Sequence, residues 1–181
     1  MRVITGLARG RRLETPEGLE TRPTSGKAKE AIFSAIQFEL EQASILDLFA
    51  GSGQLGIEAL SRGARFAVFV DSSAEAYSVM LGNLNSTGLM KSARVARMDA
   101  LAFLKSTREK FDIIFLDPPY ASELAAQALP LCADIASEGG VIICETDRDV
   151  YMPDCVGGFE RVRMYRYGRN TFHMYRRAER K

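Results

Sequence analysis

The sequence predicts an α/β fold in which a mostly parallel sheet carries helices on both faces. Short apolar runs typical of buried strands alternate with longer segments whose apolar residues recur at helical spacing. Because parallel strands are joined by crossovers, this alternation favours a parallel sheet. With 181 residues, the chain is long enough for one substantial core. We therefore expect a single domain over residues 1–181, with a small N-terminal β extension at 1–20 and the main core at 21–181.

The first residues predict a β-hairpin ahead of the sheet. The segments RVITG and RRLET are short and are flanked by turn residues that include Gly6 and Gly10. The run from Pro23 to Leu40 then carries alanine, isoleucine and leucine at helical spacing, which predicts a helix. Thr24 or Ser25 can cap that helix at its start.

The middle of the chain alternates strands and helices. Apolar runs predict five strands, at Ile45–Ala50, Phe66–Val70, Ala93–Arg97, Ile113–Leu116 and Gly140–Cys144. Helical spacing predicts the helices between them, at Leu55–Arg62, Ala74–Leu84, Ala100–Ser106 and Ala121–Ala136. The tail breaks this alternation, because Phe159–Tyr167 and Thr171–Arg176 have the pattern of two strands around Gly168. These strands are close enough in sequence to form an antiparallel hairpin at the sheet edge.

The composition is that of a globular protein, with 46% hydrophobic and 26% charged residues. The opening residues lack the apolar run of a secretory signal, and no apolar stretch is long enough to cross a bilayer. These features predict a cytoplasmic protein without a membrane partner. Cys132, Cys144 and Cys155 show no CxxC spacing, so neither a disulfide framework nor a zinc site is indicated, and we expect no metal.

The charge is distributed unevenly along the chain, although its net value is only +1. Residues 1–29 carry seven basic and three acidic side chains, and residues 161–181 carry eight basic and one acidic. The segment between them has nine basic and nineteen acidic side chains. A chain with basic ends suits a polyanion such as a nucleic acid. Two solvated termini are the alternative explanation.

A glycine-rich loop follows the first predicted strand of the sheet. Gly51, Gly53 and Gly56 match the GxGxxG pattern, and Asp71 directly follows the next strand. Glycines let a backbone approach a ligand closely, and a carboxylate at this place can accept hydrogen bonds from two ribose hydroxyls. Nicotinamide dinucleotides and S-adenosylmethionine both contain a ribose, so the loop alone does not distinguish them.

Asp47, just before the glycine turn, favours the second of these cofactors. A carboxylate would repel a pyrophosphate but attract the cationic amino-acid end of S-adenosylmethionine. Asp99 comes shortly after the third strand of the alternation. There it can accept a hydrogen bond from the adenine amino group, cap the following helix, or do both.

The tetrapeptide Asp117-Pro118-Pro119-Tyr120 stands at the end of the fourth strand. Ligands of open parallel sheets bind beyond the carboxyl ends of the strands, so the tetrapeptide and the glycine loop are expected at one crevice. An exocyclic amino nitrogen is a poor nucleophile, because its lone pair is delocalised into the ring. Hydrogen-bond acceptors that hold its two hydrogens favour a pyramidal nitrogen whose lone pair points at the methyl group. Asp117 offers its side chain and Pro118 its carbonyl oxygen, while neither proline has an N–H that would compete. Tyr120 offers a ring on which an extruded base can stack, although a plain strand-to-helix turn is the alternative interpretation.

Three segments resemble the bacterial 16S ribosomal RNA guanine-N2 methyltransferases of the small-subunit type. They are Arg22–Ile36 (RPTSGKAKEAIFSAI), Asp47–Ala64 (DLFAGSGQLGIEALSRGA) and Leu116–Tyr120 (LDPPY). The similarity runs over nearly the whole chain, from Gly6–Leu13 to the basic hairpin at the end. DPPY alone is shared with DNA adenine and cytosine amino-methyltransferases. Gln54 departs from the pattern, which has a small residue at that place.

The resemblance implies a Rossmann-like class I methyltransferase fold with a seven-stranded, mostly parallel sheet, in which residues 21–181 are the catalytic core. It implies S-adenosyl-L-methionine as the cofactor, which leaves as S-adenosyl-L-homocysteine. The residues expected to bind this donor are Asp47, Ala50, Gly51, Gly53, Asp71, Ser72, Asp99, Ala100 and Asp117. The residues expected to hold the target guanine are Asp117, Pro118, Pro119 and Tyr120. The implied substrate is ribosomal RNA in a partly assembled small ribosomal subunit, and the enzyme is expected to be a monomer.

Basic side chains of both chain ends can grip phosphates beside the target. They are Arg9, Arg11, Arg12, Arg22, Lys27, Arg166 and Arg169. Three other functions stay open: an amino-methyltransferase for DNA or another RNA, a nicotinamide-dependent oxidoreductase, and a non-catalytic RNA-binding assembly factor. Cytosine-C5 methylation is disfavoured, because it needs a thiolate beside the base and no cysteine adjoins DPPY. His173 lies on a predicted edge strand, which favours a structural or RNA-facing role over metal binding.

Overall fold

The computed structural model describes residues 1–17, 26–119 and 123–178, and it shows an eight-stranded sheet with helices on both faces. The strands are β1 (Ser44–Leu48), β2 (Phe66–Asp71), β3 (Ala93–Arg97), β4 (Phe111–Leu116), β5 (Ala136–Asp147), β6 (Cys155–Val156), β7 (Phe159–Tyr167) and β8 (Asn170–Arg177). The helices are α1 (Gly26–Ala35), α2 (Gln54–Ser61), α3 (Ala74–Thr87), α4 (Ala100–Ser106) and α5 (Leu124–Ile135). A short 3₁₀ turn at Met90–Ser92 leads into β3.

The strands lie in the order β3-β2-β1-β4-β5-β8-β7-β6. The first five strands of that order are parallel, and the last three continue the sheet in antiparallel pairs. The predicted α/β fold with a mostly parallel sheet is therefore confirmed. The number of strands exceeds the predicted seven by one. The additional strand is β6, and its two residues are too few to show any hydrophobic periodicity in the sequence.

The C-terminal hairpin forms as predicted, but β8 lies inside the sheet between β5 and β7. This position explains why β5 extends beyond the predicted range of Gly140–Cys144. At its carboxyl end, β5 continues to pair with β8 as far as Asp147, which lies opposite Asn170. At its amino end, Ala136 pairs with Phe111 across a bulge in the β4–β5 ladder.

The predicted N-terminal hairpin forms over a short stretch. Arg2 and Arg12 make an antiparallel bridge, and the N–H groups of Val3 and Leu13 donate to the carbonyl oxygens of Arg11 and Met1 at 3.0 and 2.9 Å. The pairing ends at Val3, because the N–H groups of Ile4 and Thr5 donate instead to the carboxylate of Glu58 at 2.9 and 3.0 Å. Donors that are used in this way are not available to extend a strand pair.

Glu58 on α2 is fully buried and joins three parts of the chain. Besides accepting from the N-terminal segment, its carboxylate pairs with Lys29 of α1 at 3.2 Å and with Arg62 at 2.8 Å. Lys29 is also buried, and its Nζ donates to the carbonyl oxygen of Arg2 at 3.0 Å. Burial lowers the pKa of Lys29, and the attraction of Glu58 opposes that shift. The N-terminal segment is thus fastened to the helix that begins at the glycine loop.

Two apolar layers cover the two faces of the sheet. The first layer packs α1, α2 and α3 against the sheet and contains Phe33, Phe69 and Phe115. The rings of Phe33 and Phe115 lie 5.6 Å apart between their centroids, which ties α1 to β4. The second layer packs α4 and α5 against the opposite face and contains Phe103 and Leu129. Within the described ranges, no helix combines the length and the apolar character needed to cross a membrane.

Candidate active site

Three aspartates lie at the carboxyl ends of the central strands. Asp47 is near the end of β1, Asp71 ends β2, and Asp117 directly follows β4. Because β1 pairs in parallel with both β2 and β4, these strand ends meet at one edge of the sheet. The structure thus brings the glycine loop and the Asp117–Pro119 segment together. Tyr120, the last residue of the tetrapeptide, lies outside the described residues.

The glycine loop turns sharply between β1 and α2. Gly51 and Gly53 have φ angles of 54° and 75°, a left-handed conformation that glycine adopts without strain. The N–H of Gly53 donates to the carbonyl oxygen of Ala50 at 2.7 Å, and the N–H of Ala50 donates to Val70 on β2 at 3.1 Å. A Cβ atom built on Gly51 would meet no heavy atom within 4 Å. This part of the loop therefore borders open space.

Gly56 allows α2 to pack closely against the sheet. A Cβ atom at this position would lie 2.3 Å from Cε1 of Phe69 and 3.1 Å from Oδ2 of Asp47. Phe69 and Asp47 are both buried, so a side chain at this position would displace buried atoms. The third glycine of the GxGxxG pattern therefore has a packing role here, and only the first borders open space.

Asp47 supports the start of α2. It is 2% exposed, and its Oδ2 accepts a hydrogen bond from the N–H of Gly56 at 2.8 Å. Burial raises the pKa of Asp47 to about 7, the hydrogen bond from Gly56 opposes this shift, and repulsion from Asp71 adds to it. The carboxyl group is thus part of the frame of the glycine loop, and its contact with a donor stays a prediction.

Asp71 connects the glycine loop to the turn before α3. Its Oδ2 accepts from the N–H of Gly51 and its Oδ1 accepts from the N–H of Ser73, both at 2.9 Å. The two backbone donors fix the plane of the carboxylate, and each oxygen keeps a second lone pair. Ser72, which was also expected at the donor, is exposed beside it. The arrangement suits a carboxylate that accepts from ribose hydroxyls.

Asp99 caps α4, which is one of the two roles that the sequence predicts for it. Its Oδ1 accepts from the N–H of Ala102 at 2.8 Å, and Ala100 behind it is buried. The side chain of Asp99 is exposed at the carboxyl side of β3. An N-cap leaves one carboxylate oxygen available, so the cap and a contact with adenine remain compatible.

Asp117 lies between the edge of the sheet and solvent. Its backbone N–H points to the carbonyl oxygen of Leu48 at the end of β1, at 3.4 Å. Its side chain is half-buried, Pro118 is buried and Pro119 is exposed. The segment therefore leaves β4 in a conformation set by two adjacent prolines, with Asp117 facing the end of the neighbouring strand that carries the glycine loop.

Burial raises the pKa of Asp117 well above its ordinary value, and the negative charges of Glu145 and Asp47 raise it further. Glu145 is 3% exposed on β5 and was not among the residues predicted from the sequence. Counting the register of β4 against β5 could have found it. Leu116 pairs with Cys144 in that ladder, so the next residues along the two strands are Asp117 and Glu145.

The basic residues predicted to bind RNA lie on separate parts of the surface. Those that the structure describes are all exposed: Arg9, Arg11, Arg12, Lys27, Arg166 and Arg169. Arg22 lies outside the described residues. The β7–β8 turn, which contains Arg169, adjoins the carboxyl end of β5, where Asp147 pairs with Asn170. The tip of the N-terminal segment packs instead against Ser61, at the opposite end of α2 from the glycine loop.

Metal ligands do not cluster in the described part of the chain, where no group of three or more His, Cys, Asp or Glu side chains could hold an ion. His173 is buried on β8 between Thr146 and Arg161, whose side chains lie 3.1 and 3.2 Å from its ring nitrogens. Burial, together with the charges of Arg161 and Arg166, lowers the pKa of His173 to about 4. This histidine is therefore a neutral part of the β5–β8 packing and does not face solvent.

Comparisons with known proteins show the family to which the chain belongs. Residues 1–176 match the family model described as Conserved hypothetical protein 95. The chain is 41% identical over 182 residues to YlbH of Bacillus subtilis, a relative named provisionally as an rRNA methyltransferase, covering 98% of this chain and 99% of YlbH. It is 31% identical over 180 residues to ribosomal RNA small subunit methyltransferase D of Escherichia coli, covering 98% of this chain and 90% of that protein.

A solved structure supports the same grouping. The Escherichia coli protein yhhF superposes with a TM-score of 0.88 at 31% identity, covering 98% of this chain and 97% of yhhF. The fold is that of the class I methyltransferases. The chain belongs to the Conserved hypothetical protein 95 family and, within it, groups with ribosomal RNA small subunit methyltransferase D.

Proposed function

We propose that this protein transfers a methyl group from S-adenosyl-L-methionine to the exocyclic N2 amino group of a guanine in 16S ribosomal RNA. The observation that carries the proposal is the position of Asp117 and Pro118 beside the glycine loop, at one edge of the sheet. The names of the relatives support an RNA of the small ribosomal subunit as the substrate. The guanine and its N2 atom follow from the resemblance of the motifs and from the chemistry below.

The residues of the loop fit such a donor. Gly51 borders open space, and Asp71 presents a carboxylate held by two backbone N–H groups. Asp99 stands at the end of the next strand, where an adenine amino group would find an acceptor. When bound, the donor supplies an electrophilic methyl group on a positively charged sulfur. The acidic edge formed by Asp47, Asp71 and Asp117 attracts that positive charge.

The substrate amine must be held by hydrogen-bond acceptors that leave its lone pair free to react. The carboxylate of Asp117 can accept one amine hydrogen, and the carbonyl oxygen of Pro118 can accept the other. Pro118 and Pro119 have no N–H, so neither competes for these acceptors. Tyr120 would stack against the base after it has left its helix. The rate gain comes mainly from holding the amine in line with the methyl group.

Ribosomal RNA is a larger substrate than the edge alone can hold. Exposed arginines of the N-terminal segment and of the β7–β8 hairpin supply positive charge on other parts of the surface. We infer that the protein acts as a monomeric single domain over residues 1–181 on a partly assembled small subunit. In such a particle the target base is more easily extruded than in a packed one.

Replacing Arg11 and Arg12 together by glutamine is expected to weaken binding to 16S ribosomal RNA and to flatten its dependence on salt. Each phosphate contact that is lost removes about one unit from the slope of log K against log salt concentration. Fluorescence anisotropy at several salt concentrations measures this slope. The matched control replaces Lys105 and Arg108, which are also exposed but lie at the end of α4 and just beyond it. Equal slopes in wild type and the Arg11/Arg12 variant would rule out phosphate contacts at these two residues.

Mass spectrometry of nucleosides from 16S ribosomal RNA tests the activity. Cells that lack the gene are expected to lose one N2-methylguanine, and the wild-type gene is expected to restore it. Loss of a methyladenine or methylcytosine, in RNA or DNA, would favour a different amino acceptor. An unchanged nucleoside profile would contradict the proposal and favour a non-catalytic assembly role. Calorimetry with S-adenosylmethionine and with a nicotinamide dinucleotide separates the methyltransferase from an oxidoreductase that uses the same loop.

A further inference from the structure

Glu145 is a buried acidic residue beside Asp117 that the proposed function does not use. The parallel ladder between β4 and β5 pairs Phe115 with Ile143 and Leu116 with Cys144. One step further along both strands come Asp117 and Glu145. Neighbouring strands are about 4.8 Å apart, so the two side chains leave adjacent strands at the same level. Side chains alternate between the faces, which places both on the face that carries Phe115 and Ile143.

An amide of the neighbouring strand anchors Glu145. Nδ2 of Asn170, the first residue of β8, donates a hydrogen bond to Oε1 of Glu145. Asn170 is itself 8% exposed and follows the turn that joins β7 to β8. A donor to a carboxylate favours its ionised form. Asn170 therefore fixes the carboxyl group of Glu145 next to the more exposed Asp117, at the edge where the amine would bind.

Methyl transfer to an amine releases a proton, and the chain must provide a place for it. The nitrogen lone pair forms a bond to the methyl carbon, and the electrons of the carbon–sulfur bond stay on sulfur. The nitrogen then carries a positive charge until it loses one proton. A carboxylate with an ordinary pKa is a weak base for this task. A carboxylate whose pKa lies near the pH of the reaction is a better proton acceptor.

We propose that Glu145, anchored by Asn170, is a positioning residue that makes Asp117 the acceptor of the proton released by the substrate amine. The inference rests on the proposed function and adds a residue to it. Asp117 takes the proton as a carboxyl group and passes it to solvent, which its half-buried position allows. The negative charge of Glu145 stabilises the protonated form of Asp117, and this agrees with the raised pKa of Asp117.

Other ionisable groups around this pair act in the same direction or stay neutral. In residues 1–17, 26–119 and 123–178, the charge that acts on Asp117 besides Glu145 is that of Asp47 on β1, which also raises its pKa. The thiols of Cys144 on β5 and of Cys132 on α5 are buried. Burial raises the pKa of both thiols, so they carry no charge near neutral pH.

The pH dependence of kcat in the variant Glu145→Gln tests the inference. The assay follows transfer of a labelled methyl group from S-adenosylmethionine to small subunits purified from cells that lack the gene. The wild-type rate is expected to rise with pH through the pKa of Asp117. In Glu145→Gln this rise is expected about one pH unit or more lower, with a several-fold smaller plateau, because Asp117 becomes a weaker base. The variant Glu145→Asp keeps the charge and is expected to restore the wild-type profile.

Glu138→Gln is the matched control, since Glu138 is an exposed residue of the same strand and its replacement should leave the profile unchanged. Asn170→Ala keeps both acids and provides a second test if Glu145→Gln does not fold. Without its amide donor, the Glu145 carboxyl group is no longer fixed beside Asp117, so the rise in kcat should again move to lower pH, by a smaller amount.

A measurement without turnover separates this inference from the proposed function. The carboxyl carbon resonance of Asp117, assigned with Asp117→Asn, is expected to titrate at lower pH in Glu145→Gln than in the wild type. If the resonance and the kcat profile keep their wild-type positions while activity falls, Glu145 is only structural and the inference is overturned. A wild-type protein that shows the shifted resonance but does not methylate the subunits would contradict the proposed function instead.

Discussion

Replacing Asp117 by asparagine is expected to lower kcat for methyl transfer by about 10²- to 10⁴-fold, the usual effect of removing a proton acceptor. The amide keeps the shape of the carboxyl group but cannot take a proton, and its NH₂ group cannot accept a hydrogen from the amine. Transfer of a labelled methyl group to small subunits from cells that lack the gene measures the loss. Binding of S-adenosylmethionine, measured by calorimetry, should weaken much less than kcat falls, because Asp47 and Asp71 remain at the edge.

Asp112→Asn is the control for this change, because Asp112 lies on the same strand at its amino end and bonds to Ser44, away from the glycine loop. This variant should methylate at the wild-type rate. A wild-type rate in Asp117→Asn would remove Asp117 from the reaction, and the proposed function would then lack its central group.

The same Asp117 substitution is expected to make the folded protein more stable near neutral pH. Burial raises the pKa of Asp117 above its unfolded value. The favourable contribution of such a group is complete below the unfolded pKa and is lost as pH rises through the folded pKa. Asparagine cannot ionise, so thermal unfolding should show a higher Tm for Asp117→Asn at pH 8 and a smaller difference at pH 4. A substitution that lowers activity and raises stability is typical of a residue that is retained for function.

Replacing Glu58 by glutamine is expected to destabilise the fold by about 3–5 kcal/mol, because it leaves a buried cation without its partner. Lys29 is 2% exposed and pairs with Glu58 at 3.2 Å. Denaturant unfolding, followed by circular dichroism, measures the free energy of unfolding. The N-terminal segment should also exchange its amide hydrogens faster, since Ile4 and Thr5 donate to the Glu58 carboxylate.

Two further variants show whether charge is the cause. Lys29→Met removes the buried positive charge that Glu58→Gln leaves without its partner. The double variant Lys29→Met/Glu58→Gln should therefore regain part of the stability lost in Glu58→Gln. Glu30→Gln changes an exposed residue of the same helix, and its effect should stay within about 0.5 kcal/mol. A double variant no more stable than Glu58→Gln would mean that packing, not charge, accounts for the loss.

The sequence predicted the order and the type of the main elements because their signals are local. The predicted bounds of β3 and α4 agree with those of the structure. Both predictions used only the pattern of residues within the segment itself. The N-terminal hairpin is shorter than predicted, because the N–H groups of Ile4 and Thr5 donate to Glu58, fifty or more residues away, and no local pattern records such a partner. The two-residue β6 was missed for lack of any periodicity.

For the site as well, residues in continuous motifs could be predicted from the sequence, whereas contacts between distant segments could not. The glycine loop and the DPPY tetrapeptide are continuous in sequence, so their residue types could be interpreted directly. Glu145 could not be recognised in this way, because it becomes a neighbour of Asp117 only through the register of two parallel strands. Asp47 could be predicted as an acidic residue near the loop, but its hydrogen bond to Gly56 depends on how α2 packs.

The three cysteines differ in a way that has a practical use. Cys132 and Cys144 are buried and their pKa values are raised, whereas Cys155 on β6 is exposed. Only an accessible thiolate reacts readily with a maleimide, so a dye should attach to the native chain at one place. In the sheet, β7 and β8 lie between β6 and the strand that carries Glu145. A fluorophore at Cys155 can therefore report docking onto a labelled ribosomal particle by energy transfer without occupying the acidic edge.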